Sequence, residues 1–301
     1  MRFAAWTILF ATLLLWSGNW IVARAVRDDV APGVATVGRQ LVVLALLLPF
    51  TLTSLRKKAS GLKKRDWQVL AALGLTGGGV HLAMQWLGMH YTTAASGILF
   101  LSTTPIFILL LAPLLGERIG AAQWAGVALS FSGVAAIAAH GDPARLAALR
   151  FNIGDLLALG SMSMWAGYTV LLRVRRDPLE VAELLTMVCA FGFAFMLPWA
   201  AYEWLWLKRL GINAGAVLAI LYSALGSLLL AYAGWSYVVT RLGAARAGAT
   251  LHLMPAMGVG LSALFLGEYP RWYHFAGIAL ILAGVGLSQW RVRAASASSI
   301  P

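Results

Sequence analysis

The sequence predicts an all-α membrane protein: ten transmembrane helices forming a five-plus-five inverted-topology repeat around a central cavity. Three observations predict it. Of 301 residues, 60% are hydrophobic and 11% charged, with a mean hydropathy of +0.80, whereas an ordinary soluble domain carries about a quarter charged residues. Long charge-free runs recur from end to end. The first half is also repeated in the second: Trp16, Gly18 and Arg24 recur as Trp165, Gly167 and Arg173, and Leu48-Pro49 as Leu197-Pro198, at an offset of 149 residues. Pro105 then matches Pro255, and Gly116, Glu117, Gly126 and Gly133 match Gly267, Glu268, Gly277 and Gly284 at an offset of 151. Each copy holds an odd number of spans, so the copies insert in opposite orientations.

A bilayer core takes about 20 apolar residues per helix. Residues 3–23 supply helix 1, and 41–55 the charge-free part of helix 2, whose outer end carries Arg39. The run 67–116 has 50 residues without charge, enough for helices 3 and 4 with a turn near His90–Thr93. Residues 119–141 give helix 5, and the runs 156–172, 184–202, 210–240, 247–267 and 272–290 give helices 6 to 10. The domains follow: a first repeat over 1–141, a connecting loop over 142–152, a second repeat over 153–293, and a small, polar tail over 294–301 that is expected to be disordered.

The net charge of +12 is distributed for membrane orientation, which argues against a nucleic-acid partner. Arg56, Lys57, Lys58, Lys63, Lys64 and Arg65 lie between helices 2 and 3 and belong on the cytoplasmic side by the positive-inside bias. Both termini then fall inside, with fifteen Lys and Arg on that side, seven outside and Arg39 left within helix 2. The expected location is a bacterial cytoplasmic (inner) membrane. Ala23-Arg24-Ala25 after an apolar run looks like a signal-peptide cleavage site, but Trp16 to Arg24 has a partner in the second half, so helix 1 is read as part of the fold. The single cysteine, Cys189, excludes internal disulfides and a cysteine metal site. No cofactor is expected.

Each half closes on a proline, then Leu-Gly-Glu, then a helix with glycines seven apart. With Pro105 and Gly116-Glu117-Arg118 in one half and Pro255 and Gly267-Glu268-Tyr269 in the other, the chain resembles the drug/metabolite transporter superfamily, in particular its EamA-type branch, over nearly its whole length. It looks nearest to the aromatic amino acid exporters of that group. The resemblance implies a cavity lined mainly by helices 1, 3, 4, 6, 8 and 9, and export of amino acids or related metabolites. Gly126 and Gly133 share a helix face, as do Gly277 and Gly284, and small residues let helices approach closely. Those faces suit internal packing or dimerisation, so monomer and homodimer both stand. Glu117 and Glu268 precede helices 5 and 10, where a carboxylate complements free amides and the helix dipole; a role in transport is the alternative.

Polar and aromatic residues in mid-helix are the candidates for a small-molecule substrate. Helix 1 offers Trp16, Asn19 and Trp20 on one face, helix 6 Trp165 and Tyr168, and helix 3 His81, Met84 and Gln85, beside Gly77, Gly78 and Gly79. Helix 8 offers Tyr232, Trp235 and Ser236, helix 9 His252 and Met254 before Pro255, and helix 4 Ser96, Ser102, Thr103 and Thr104 before Pro105. Together these faces would make an aromatic basket with a polar edge. Trp199, Tyr202, Trp204 and Trp206 read instead as an interfacial belt. His81 and Gln85 either join helices by a hydrogen bond or meet substrate in a wet cavity, and His81 is a candidate proton carrier. The charge of Arg39 could draw an anionic carboxylate towards the cavity, but a long side chain near a helix end usually snorkels, and snorkelling is the default expectation.

No cavity helix carries a mid-span Asp or Glu, which favours zwitterionic or neutral substrates over proton-coupled export of cations. The resulting expectation is alternating-access export of amino acids with aromatic or bulky apolar side chains, with Pro105 and Pro255 as hinges. The alternatives are a broad drug/metabolite exporter or facilitator and, from another class, a membrane-embedded lipid-modifying enzyme. That enzyme needs clustered carboxylates or a nucleophile with a base, and the acidic residues here are few and scattered.

Overall fold

Apolar segments in a bilayer satisfy their backbone groups internally, and the charge-free runs accordingly fold as helices. The computed structural model describes residues 2–26, 29–91, 100, 103–117, 119–148, 153–207, 213–257 and 271–297, and among these it contains helices and no β-sheet. The first half comprises α1 (Arg2–Ala25), α2 (Pro32–Ala59), α3 (residues 64–91), α4 (Thr104–Leu111, tightening to a 3-10 turn over Ala112–Leu115) and α5 (Ala121–Ala138). The second comprises α6 (Ile153–Val174), α7 (Val181–Tyr202, extended by a π-helical Glu203–Leu207), α8 (Ala214–Leu242), α9 (residues 244–257) and α10 (Trp272–Ala297). The connection over 142–152 contains a one-turn helix, Pro143–Ala147. α10 runs to Ala297, into the tail expected to be disordered from 294.

Helix starts follow local chemistry. Pro32 opens α2, where its missing N–H is no loss. The Asn213 side chain accepts from Ala216 N at 2.7 Å to cap α8, and Glu183 reaches back to Glu180 N at 2.7 Å to cap α7. Among the described residues, four helices are long and apolar enough to cross a membrane: Pro32–Ala59, Ile153–Val174, Val181–Trp206 and Ala214–Leu242. Shorter apolar helices cover Ala4–Asn19, Thr104–Leu114, Ala121–Ile137 and Trp272–Ser288. Their outward faces carry exposed Leu46, Phe50, Leu218, Phe275 and Leu282, a surface that suits lipid.

The packing pairs helices from the two halves, each pair antiparallel. On α2 and α7, Gly33 N meets Glu203 at 2.7 Å, Thr51 meets Thr186 at 3.1 Å and Ser54 meets Glu183 at 2.5 Å. On α5 and α10, a Cβ added to Gly126 would lie 2.5 Å from Gly284 O, and one added to Gly133 would lie 2.5 Å from Gly277 O. The glycine faces of these two helices therefore pack against each other inside one chain. α1 runs against α8, with Thr12 at Gly234 and Leu15 at Gly226; α3 runs against α6, with His81 at Ser161 and Gly88 at Gly154. The main core cluster, from Leu9 and Trp16 through Trp165 and Tyr168 to Trp235 and Leu251, spans both halves.

α3 and α8 each contain a π-helical stretch, Gly74–Val80 and Ser223–Leu230, at matching places in the repeat. Such stretches free backbone carbonyls and concentrate at functional sites. Here the freed groups are used by α2 and α8: Gln40 Nε2 donates to Gly78 O, and the Tyr232 hydroxyl donates to Gly77 O at 2.7 Å.

Candidate functional site

Where α1, α3, α4, α6, α8 and α9 converge there is a cavity of about 40 Å³ lined by Trp16, Asn19, His81, Leu82, Gln85, Thr104, Met162, Trp165, Ser227, Tyr232, Leu251 and Met254. That is space for a few waters, so a metabolite enters only when the side chains part. Trp16 and Trp165, equivalent positions of the two halves, meet edge-to-face with centroids 5.0 Å apart. Tyr232 adds a ring 5.1 Å from Trp165, and Trp235 one 5.3 Å from Trp16. The Trp16 indole is fixed by donating to Ser227 O at 3.0 Å.

The polar edge is built from the first half. His81 Nδ1 lies 2.9 Å from Ser161 O, while the Ser161 hydroxyl donates to His81 O at 2.7 Å. Nδ1 also lies 2.9 Å from Ser161 Oγ, so the ring is anchored to α6 through this one nitrogen. Asn19 Oδ1 and Thr104 Oγ1 are buried with no hydrogen-bond partner among the described residues. A buried polar atom left unmatched costs about 1–3 kcal/mol, so these atoms call for water or a polar guest in the cavity.

Of the residues singled out in the sequence, Trp16, Asn19, His81, Gln85, Thr104, Trp165, Tyr232 and Met254 come together around this space, while Ser96 and Ser102 lie outside the described residues. Tyr168 stacks behind Trp165 at 4.9 Å with its hydroxyl beside Ser236, so both lie one layer behind the cavity wall. Met84 packs on Gly160, and His252 is fully buried outside the lining. The Trp20 side chain lies outside the described residues. Gly77, Gly78 and Gly79 do not line the cavity: a Cβ on Gly77 would be 2.3 Å from the Tyr168 ring, and one on Gly78 2.7 Å from Val188 O. Close packing and the π-helical carbonyls explain them. Met162, Ser227, Leu82 and Leu251 line the space unforeseen; Met162 had a signal, lying one turn before Trp165 on the same face.

Three further expectations meet the geometry. Arg39 does not snorkel: it is 1% exposed, and its Nη1 donates to Ser223 Oγ at 3.1 Å. Glu117 does not serve α5, which is closed by Gln123 accepting from Gly120 N at 3.0 Å. Its carboxylate faces the first amides of α9, Ala244 N and Ala245 N, each at 3.4 Å, and pairs with Arg173 at 3.4 Å. Glu268 lies outside the described residues. Pro105 is the second residue of α4, after the N-cap Thr103 and Thr104, and Pro255 lies in the last described turn of α9.

An apolar exterior around a helical bundle with an aromatic and polar cavity where its helices converge fits a multipass membrane protein. The EamA-like transporter family profile matches residues 3–139 and again 152–289, and the chain belongs to that family. An uncharacterized transporter of Archaeoglobus fulgidus is 27% identical over 283 residues, covering 93% of this chain and 96% of the relative. A probable terminal-alkyne amino-acid exporter of Streptantibioticus cattleyicolor is 28% identical over 285 residues, covering 94% and 92%. A solved crystal structure shares the fold at a TM-score of 0.75 and 22% identity, covering 97% of this chain and 99% of its own. The family is one of transporters, so a small-molecule substrate and a membrane location follow.

Proposed function

We propose that this transporter exports amino acids with aromatic or other bulky apolar side chains by alternating access, and that its ten helices form a five-plus-five inverted repeat. The observation that carries the substrate reading is the cavity itself, where Trp16, Trp165 and Tyr232 offer ring faces and His81, Asn19, Gln85 and Thr104 offer polar groups. Ring faces bury an apolar side chain, and the polar groups orient the α-amino acid end. The amino-acid exporter among the relatives supports the same substrate class. The inverted repeat is supported by the two family matches and by the pairing of equivalent helices: α2 lies antiparallel to its counterpart α7, and α5 to α10. The contacts α1 with α8 and α3 with α6 are exchanged by the same relation.

On this reading both termini face the cytoplasm of a bacterial inner membrane, and Pro105 and Pro255 are hinges. α5 and α10 satisfy each other's glycine faces, which favours a monomer. Counterflow of labelled phenylalanine in proteoliposomes tests the assignment, with threonine and a quaternary amine as competitors. Competition by phenylalanine alone supports it. Competition by the quaternary amine points to a broad exporter holding cations over ring faces, and no counterflow of any amino acid refutes it.

A further inference from the structure

Arg39 sits in a helix apolar enough to cross the bilayer and is 1% exposed. A buried guanidinium is tolerated when its charge and its N–H groups find partners. Nη1 has Ser223 Oγ, but Nε and Nη2 are buried with no hydrogen-bond partner among the described residues. Nor, among those residues, does any carboxylate lie within ion-pair distance of it. The groups close enough to interact with its charge are Tyr232, Cys189 and His81. Two of these, Tyr232 and His81, line the cavity. The Tyr232 hydroxyl stands beside the guanidinium and is itself held by Gly77 O, so the ring is a partition between a buried cation and the chamber.

We propose that Arg39 is the anion-binding residue of this transporter: when the Tyr232 ring moves aside, Nε and Nη2 receive the carboxylate of the substrate. The two idle N–H groups form the fork that suits a carboxylate bidentately. Arg39 has no counterpart in the second half, where the equivalent position is Val188, so the anion site is single and gives the substrate one orientation. The inference rests on the amino-acid reading above and adds to it: the carboxylate is the obligatory feature of the ligand, and an amine lacking it is excluded.

The experiment uses the full chain in proteoliposomes, with labelled phenylalanine competed by 3-phenylpropionate, which lacks the ammonium, and by 2-phenylethylamine, which lacks the carboxylate. Wild type should be competed at least tenfold more strongly by 3-phenylpropionate than by 2-phenylethylamine. In Arg39→Gln that ratio should fall close to one, and Arg39→Lys should restore part of it. A wild-type preference for 2-phenylethylamine overturns the proposal without any variant, as does a folded Arg39→Gln that keeps the wild-type ratio. Should wild type carry no phenylalanine yet bind labelled 3-phenylpropionate through Arg39, the amino-acid reading fails and the anion site stands.

Discussion

Replacing Gly133 with alanine puts a methyl group where α10 already is. The new Cβ would lie 2.5 Å from Gly277 O, 2.9 Å from Leu280 Cβ and 3.0 Å from Ile281 Cγ1, against an ordinary contact of 3.4 Å or more. The helices must therefore separate by about 0.9 Å at the crossing, because the nearest obstacle is backbone and cannot rotate away. Overpacking of this kind costs about 1–3 kcal/mol, and the better helix propensity of alanine returns about 1 kcal/mol. A net loss of about 0–2 kcal/mol should lower the melting temperature in detergent by up to roughly 8 °C, and by more relative to a glycine-to-alanine change that meets no obstacle. Gly126→Ala meets Gly284 O at 2.5 Å and should behave alike. The double variant should lose less than the sum, since one separation relieves both clashes. Gly286→Ala, on the same α10 with open space around it, is the control and should be neutral or slightly stabilising. If the Gly126 and Gly133 variants melt with the Gly286 control, the α5–α10 contact is not the packed seam described.

Four other outcomes are expected. Trp16→Ala and Trp165→Ala should each weaken phenylalanine counterflow about two- to tenfold, since each ring contact is worth about 0.5–1.5 kcal/mol, while Trp206→Ala, 74% exposed, should leave it unchanged; equal behaviour of all three would remove the cavity from the substrate's path. Glu117→Ala should destabilise by about 1 kcal/mol through the lost α9 cap, and Glu117→Gln by less, because its pair with Arg173 is partly exposed and contributes little; this is read by thermal melting. Pro105→Ala or Pro255→Ala should slow transport at unchanged folded yield, and untouched rates would dismiss the hinge. Accessibility tags at Met1 and Arg150 should report opposite faces of the membrane, and a common face would end the inverted-repeat reading.

Much of the cavity was legible because helical spacing defines faces. Trp16 with Asn19, and His81 with Gln85, share faces by their intervals alone, and their offset partners placed Trp165 opposite Trp16. The errors fall where spacing loses its phase or where distance in space matters. The π-helical stretch Ser223–Leu230 precedes Tyr232 and Ser236, and each extra residue in a turn rotates the downstream side chains by about 100°; Tyr232 still reaches the cavity, whereas Ser236 ends beside Tyr168. Arg39 misled because proximity to a helix end suggests a path to water, and it is the packing of α7 and α8 on α2 that buries it. Glu117 misled for a related reason: the nearest helix in sequence was assumed to be the one it serves, yet α9 lies closer in space.

The departures from symmetry carry the strongest hint about the substrate. Trp16 and Trp165, at equivalent positions of the sequence repeat, meet each other; on the proposed inverted repeat, the axis relating the halves passes between them. Away from that axis the halves differ in kind. Asn19 stands opposite Tyr168 in the repeat, His81 opposite Leu230, Gln85 opposite Gly234, and Tyr232 opposite Ala83. The first half thus contributes amide and imidazole groups, while the second contributes rings. A ligand with identical ends would gain nothing from such a division, and a purely apolar one would leave Asn19 and Thr104 unmatched. An amphipathic guest satisfies both surfaces at once, and on the reading proposed above its carboxylate lies towards Arg39 on α2, behind Tyr232.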